Sequence, residues 1–531
     1  MRPWQAAVLV CLSLIPSAHN AWRLRDQPHL GRHDDGFYFT AAQSLARGEY
    51  RIESLPGRPY QTKYPPLYPL YLSVVWRIQP EAPANLPLAT LFAWLPLPVF
   101  VALAWRLFRR FGFGVAAATA LACLVALNPY TLILSSTLMS EIFFGCFLLA
   151  VVLLVDGEAR RRRLLAAGLL AALAYLTRSA ALPLLAAAPI ALLFREGWKR
   201  AAPRAAVFLA PLVLAALSWQ LWASAHRTAD RFPYETDYFG YFLANVGADN
   251  FLPMLWQNLG ALLMATYGLF FYEPAPVAIV HLILRFVAFA AVAGIVRLGR
   301  RQGWSVYSLF AAGSAVLLTV WNFPPTERFL YPLFPLLLAG LAAEVVHLGS
   351  ALRAALVKPK LAERAIAAGL LASIAALGVY MTVRTASAIA THLPGVAAEE
   401  IKWAQTRRAA YAWAAAHLKD TSGFLAYRDT EFYLFTGLPA NRVEVPTRLR
   451  YGGKRQPVVD AFADSPAYAQ REGLTHAFFT TADFDAELFP EERGGAVARL
   501  LASPLVIPIY QDKGAYVFGV REAPSQRAAV R

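Results

Sequence analysis

The chain is short of charge and of sulfur. Asp, Glu, Lys and Arg make up 16% of its 531 residues, against roughly 25% in an ordinary soluble domain, and that shortage argues against a water-soluble protein. Cysteine occurs three times, at Cys11, Cys123 and Cys146. Each sits inside an apolar run without the spacing of a disulfide framework or a metal site, so all three read as small hydrophobes and leave the redox compartment unread. No repeat of fixed period occurs, and no low-complexity stretch beyond Ala/Leu richness, which sets repeat architectures aside.

What is abundant is apolar: 57% of the residues belong to the hydrophobic set, with a mean hydropathy of +0.42. Acids are outnumbered by bases, 34 to 50, for a formal charge of +16. Residues 1–384 hold 33 Lys and Arg against 18 Asp and Glu, whereas residues 385–531 hold 17 against 16. The basic excess therefore belongs to the apolar part. Arginine clusters between apolar runs mark cytoplasmic loops of a membrane protein and not a nucleic-acid surface.

About 20 apolar residues cross a bilayer as a helix, and on that measure the chain has about eleven spans. Residues 4–22 read as an uncleaved first helix rather than a signal peptide, because many spans follow. Further runs cover residues 86–106, 113–132, 142–155, 205–224, 276–296, 304–321, 329–348 and 365–383. Residues 164–194 begin and end beside basic clusters and read as a hairpin of two short spans with Arg178 at its outer tip. The basic clusters place residues 23–85 outside as one large loop, together with everything after residue 384. Residues 385–531 have ordinary composition and read as an independently folding extracytoplasmic domain. In it, residues 396–418 predict an amphipathic helix, and GFLAY, HAFFTT and AYVFGV predict strands. The fold class is thus a polytopic α-helical membrane protein with a small C-terminal α/β domain.

Polar residues gather on the predicted outer side. The first loop holds Asp34, Asp35 and Tyr38, then Lys63-Tyr64-Pro65-Pro66-Leu67-Tyr68; outer turns add Glu141, Arg178 and Glu327-Arg328. A carboxylate near the headgroup level can take a proton from a hydroxyl nucleophile, while adjacent acids also suit the start of the helix that follows. Lys63 either snorkels or holds a phosphate. Glu141 is a second acid or a solvated helix end. Arg328 is matched to a phosphate by its two-pronged geometry, or is neutralised by Glu327. His281 and Arg285, one turn apart within a span, require a cavity or a partner.

Taken in order, these residues resemble the polyprenyl-phosphate-dependent membrane glycosyltransferases of GT-C type, which include the protein O-mannosyltransferases and the lipid A aminoarabinose transferase. The resemblance rests on Asp34, Asp35 and Tyr38, on Ala42, Leu45 and Gly48 after them, and on Lys63 to Tyr68. Ser140-Glu141 and the Glu327 to Pro335 run complete it. It covers residues 1 to about 350, and the tail adds Thr436-Gly437 in a Tyr-x-x-Thr-Gly-like setting. Two departures stand out: Asp35 where the family often has Glu, and Tyr64 inserted between the lysine and Pro-Pro. The resemblance implies transfer, with inversion, of a sugar from a polyprenyl-phosphate donor to a protein, lipid or glycan hydroxyl. The place implied is the outer face of a bacterial inner membrane. It makes Asp34 the general base, with Lys63, Arg328 and Arg178 on the donor phosphate. Asp35, Glu141 and Tyr38 orient the acceptor, or a divalent cation if one is used; the sequence requires no cofactor. A secondary transporter would instead show paired, broken helices in two halves, and a non-catalytic envelope assembly protein would make Asp34 dispensable.

Overall fold

In the computed structural model the described residues are 1–26, 34–157, 160–228, 231–273, 277–357, 360–418, 421, 423–451, 453–485 and 487–521. The chain is a multi-pass membrane protein. Among the described residues six helices are long and apolar enough to span: Leu86–Arg110, Ser179–Glu196, Trp198–His226, Ala278–Gln302, Glu327–Leu356 and Leu361–His417. The pair Val115–Ala126 and Pro129–Ser135 passes the same test only when its two helices, bent by 56°, are taken together. The bend falls where Pro129 has no N–H to give, and the Asn128 side chain caps the second half by accepting from Tyr130 N at 2.9 Å.

The apolar runs predict eleven spans, more than these long helices. Glu141–Val155 and Val306–Thr319 are apolar but only 15 and 14 residues long. The first run divides at Leu14 into Pro3–Ser13 and Ile15–Arg23, with Pro16 in the first turn of the second helix. Composition records how apolar a run is; whether it stays one straight helix depends on proline and on packing.

Where a hairpin is expected over 164–194, the helices Arg161–Thr177 and Leu184–Glu196 flank Arg178, and both pack against Trp198–His226. Glu141 begins its helix and meets Arg178, while at the opposite end Asp156 pairs with Arg195. Fifteen residues at 1.5 Å rise put about 22 Å between those ends. The acid-containing cluster and the arginine-rich loops therefore occupy opposite ends of the bundle.

The last predicted span and the amphipathic helix are one element, Leu361–His417, so residues 384 and 385 fall inside a helix. A π turn at Ala388–His392 interrupts it. Beyond it a five-stranded sheet has the order β2-β1-β3-β5-β4. Its strands are β1 Phe424–Ala426, β2 Ala440–Asn441, β3 His476–Thr480, β4 Val506–Asp512 and β5 Ala515–Val520. β1 runs parallel to β2 and β3; β5 is antiparallel to β3 and β4. The segments GFLAY, HAFFTT and AYVFGV supply β1, β3 and β5. The edge strand β4 carries Pro508 and shifts register there, which an edge tolerates.

Tyr411, Phe424, Phe432, Phe478 and Val517 pack in a buried cluster drawn from the C-terminal region alone, and a second cluster is shared with the first loop. Phe37, Ile52 and Leu55 of the first loop and Phe232 pack with Leu425, Val443, Phe462, Phe479 and Phe518 in one buried cluster. Residues 385–531 thus have one buried cluster of their own and share another with the first loop. Asp429, at the start of the helix Asp429–Thr436, is 1% exposed, and burial pushes its carboxyl from 3.8 up to about 7. Between those values the folded chain keeps a proton that the unfolded chain has released. Its stabilising contribution is complete below pH 3.8 and lost as pH rises through about 7. Melting temperatures followed from pH 4 to pH 8 should fall with a component that Asp429→Asn removes; identical slopes in both proteins would refute this.

Candidate active site

Asp34 is the first residue of the helix Asp34–Ala46, where a carboxylate is favoured by the unsatisfied N–H groups and the helix dipole. The preceding residues 27–33 lie outside the described set. Asp34 lines a cavity of about 880 Å³. Asp35 is 0% exposed and does not line that cavity; its Oδ1 accepts from the backbone N–H of Gly36 at 2.8 Å. Of the two adjacent acids, one faces the cavity and the other is built into the helix start.

Long-range folding brings the remaining candidates to Asp34. Arg328, which begins the span Glu327–Leu356 with its neighbour, donates from Nη2 to Asp34 Oδ2, and its Nε lies 3.3 Å from Glu141 Oε1. Arg178 donates from Nη1 to Glu141 Oε1 at 2.9 Å and to Ser140 Oγ at 2.8 Å. Ser140 in turn donates to the Tyr38 hydroxyl at 3.2 Å. Tyr38 lies on the Asp34 helix, and burial pushes its hydroxyl up to about 12, so it remains a neutral phenol at physiological pH. The Tyr64 hydroxyl donates to Asp34 Oδ1 at 2.6 Å. Glu141 is 1% exposed and stands behind the wall, bridging the two arginines. It is thus neither a solvated helix end nor a cavity-lining group.

Lys63 also lines the cavity, but its ammonium does not point into open space. It donates to Glu235 Oε2 at 3.2 Å and sits 3.3 Å from the centroid of the Tyr234 ring, with Tyr238 and Tyr64 at 5.0 and 5.1 Å. Burial pushes the Glu235 carboxyl up, and Lys63 opposes that shift. The segment Phe232 to Tyr238, rich in aromatic and polar residues between two spans, supplies this wall. That composition between two apolar runs is a usable signal for it.

The C-terminal region also lines the cavity, with Arg428, Arg442, Glu444, Arg450 and Glu487 among its residues. Arg442 and Arg450 share Glu487 at 3.3 and 2.6 Å, and Arg428 holds both oxygens of Glu400 at 2.6 and 3.1 Å. Burial pushes Glu444 up to about 7. Nothing local in the sequence marks these residues.

The Asp34 helix meets the C-terminal region at Gly36. A Cβ there would stand 1.8 Å from Thr430 Oγ1 and 2.4 Å from its Cβ, so only glycine lets the Asp34 helix approach the helix Asp429–Thr436 this closely. Tyr433 of that second helix, from the Tyr-x-x-Thr-Gly-like run, donates to Gln43 Oε1 at 3.1 Å and secures the same contact. Gly36→Ala should lower the melting temperature, by about 1–3 kcal/mol of overpacking, and Thr430→Gly in the same chain should recover part of it. A Gly36→Ala single variant that melts like the parent would show the contact to be soft.

His281 finds a partner away from this site, its Nδ1 lying 3.2 Å from the Tyr267 hydroxyl, and neither His281 nor Arg285 lines the cavity. Among the described residues no three His, Cys, Asp or Glu side chains are grouped to hold a metal ion. Asp34 and Glu141 are instead met by arginines, so the donor set around them is that of an ion-pair network.

The chain shares the fold of solved GT-C-type glycosyltransferase structures. ArnT from Cupriavidus metallidurans bound to undecaprenyl phosphate matches over 98% of both chains, with a TM-score of 0.54 and 13% identity. The Archaeoglobus fulgidus oligosaccharyltransferase tethered to an acceptor peptide matches 99% of this chain and 75% of its own, with a TM-score of 0.53 and 14% identity. The archaeal oligosaccharyltransferase AglB from the same organism, with an inhibitory peptide and a dolichol-phosphate, gives a TM-score of 0.51 at 14% identity, over 98% and 74% of the two chains. No protein-family model and no curated protein matches the sequence.

Proposed function

We propose that the chain transfers a sugar from a polyprenyl-phosphate donor to an acceptor hydroxyl at the outer face of the bacterial cytoplasmic membrane, with inversion at the anomeric carbon. The observation that carries this reading is the placement of Asp34 on the wall of a large cavity, with Arg328 against it and Arg178 and Lys63 lining the same space. The fold shared with the ArnT bound to undecaprenyl phosphate supports a donor of that class.

The acceptor oxygen attacks the anomeric carbon, and its proton passes to Asp34. The bond from that carbon to the phosphate oxygen breaks with its electron pair, leaving a phosphate monoester that needs no proton. One carboxylate therefore suffices where glycoside hydrolysis uses two. Arg328, Arg178 and Lys63 stabilise the charge that develops on the departing phosphate. Each already has a carboxylate partner in the fold, so the donor phosphate replaces part of an existing ion pair. That exchange spares the site a set of unpaired buried cations while empty. Glu141 and Asp35 keep the arginines and the helix start in place, and Tyr38 faces the acceptor. The acid-containing end of the bundle, opposite the arginine-rich loops, is the extracytoplasmic end on the charge rule for cytoplasmic loops.

The test is mass spectrometry of lipid extracts from cells that carry the chain and from cells that lack it. A polyprenyl-phosphate sugar should accumulate where the chain is missing. Identical lipid profiles, with the protein verified in the first cells, would remove the transferase reading.

A further inference from the structure

We propose that Tyr64 is a positioning residue for Asp34, holding one carboxylate oxygen so that the other is presented to the acceptor while Arg328 turns to the donor phosphate. The inference rests on the transferase reading above and adds to it a role for the residue by which this chain departs from the Lys-Pro-Pro pattern.

Tyr64 donates to Asp34 Oδ1 at 2.6 Å, while Oδ2 is held by Arg328. These two holds differ in kind. Arg328 is a cation on a long side chain that also lies beside Glu141, and a phosphate entering the cavity competes for it directly. Tyr64 is neutral, and burial raises its hydroxyl well above 10, so no phosphate draws it away by charge and it keeps its proton throughout turnover. Two contacts hold its ring and a third holds its backbone. Tyr38 packs against it at 4.9 Å between centroids, the Lys63 ammonium lies 5.1 Å from its centroid, and its backbone carbonyl accepts from the Tyr50 hydroxyl at 2.7 Å. Pro65 and Pro66 follow and restrict the backbone.

The residues just before Tyr64 are fixed as well. Lys63 pairs with Glu235, and Thr62 donates to the Thr236 carbonyl at 2.7 Å, so the strap that carries Tyr64 is tied at both preceding residues to the Phe232 to Tyr238 wall. A hydroxyl held this firmly supplies orientation, because a carboxylate free to rotate presents its proton-accepting oxygen only part of the time. As the acceptor proton arrives on Oδ2, the bond from Tyr64 to Oδ1 persists, weaker to the neutral acid than to the carboxylate. It therefore favours the charged, base-competent form. Among the described residues Asp34 is also faced by Tyr38, Arg178, Tyr234, Glu235, Tyr238 and Arg328. All of these remain when only the Tyr64 hydroxyl is removed.

The experiment compares the full chain with Tyr64→Phe and Tyr433→Phe in native membrane vesicles, reading release of polyprenyl phosphate by mass spectrometry against pH and against the amount of added polyprenyl lipid extract. Phenylalanine keeps the ring packing, and a melting curve for each variant verifies the fold. Tyr64→Phe should lower kcat by about 10- to 100-fold, leave the donor KM within about twofold, and move the acid limb upward by about one pH unit. Tyr433→Phe removes a hydroxyl bond on the far side of the same helix and should leave the limb in place. An infrared titration of the carboxyl band lost in Asp34→Asn gives the same midpoint without substrate and should shift upward in Tyr64→Phe. Inactive Asp34→Asn with an unshifted limb and midpoint in Tyr64→Phe overturns the role of Tyr64 alone. Active Asp34→Asn overturns the transferase assignment of Asp34 together with it.

Discussion

Asp34→Asn is expected to abolish polyprenyl-phosphate release, with a loss of about 10²- to 10⁴-fold, the range that a positioned general base contributes. The substitution keeps the volume of the side chain and an oxygen that can accept from Tyr64. It removes the charge that Arg328 now meets at Oδ2 and the basicity needed to take the acceptor proton. Arg328 keeps Glu141, 3.3 Å away, so the guanidinium is not stranded and the protein should remain folded. Loss of release with a melting temperature close to that of the parent therefore identifies chemistry and not collapse. Release at the parent rate would move the base to another group and leave Asp34 as an ion-pair partner of Arg328.

Glu141→Ala should act in the opposite way, on stability first. Its Oε1 is the meeting point of Arg178 at 2.9 Å and Arg328 at 3.3 Å, and the carboxylate is 1% exposed while the two arginines are 12% and 16% exposed. Removing it leaves two cations in a low-dielectric corner with Asp34 as the remaining acid on Arg328. Breaking a buried pair in this way costs about 3–5 kcal/mol. Glu141→Gln, which retains a carbonyl acceptor for Arg178 but not the charge, should fall between Ala and the parent. Thermal unfolding in detergent micelles measures the series. Equal melting temperatures for all three would mean that water or Asp34 already neutralises the arginines. Transfer should fall in both variants as well, because Arg178 and Arg328 are the groups assigned to the phosphate.

Hydropathy and charge together made legible the membrane class and the grouping of five polar residues around one cavity. Asp34, Tyr38, Lys63, Arg178 and Arg328 were selected as polar residues on one predicted side, and all five line one cavity. Residues as far apart as Asp34 and Arg328, 294 positions, could be grouped in advance because a membrane leaves polar groups only two ends at which to gather. What they do to one another was not legible. Lys63 in sequence is a cation before two prolines; in the fold it is neutralised by Glu235 and surrounded by three tyrosines. Asp35 has the same side chain as Asp34, yet the helical turn that aims one at the cavity buries the other. Arg442, Glu444 and Arg450 have no motif around them, and they reach the cavity because the shared core of Phe37, Ile52 and Leu55 draws the sheet against the first loop.

By itself, the sequence determined that this is a multi-span membrane protein, with a polar cluster at one end and arginine-rich loops at the other. Those properties depend on sums over local composition, which any chain of this order carries whatever its detailed packing. Only the tertiary structure decided which acid faces the cavity, which cations are already paired and that the C-terminal region closes the site. Each of these is set by contacts of a few ångströms between residues far apart in the chain, and the energy of a buried charge turns on those distances and not on its neighbours in sequence.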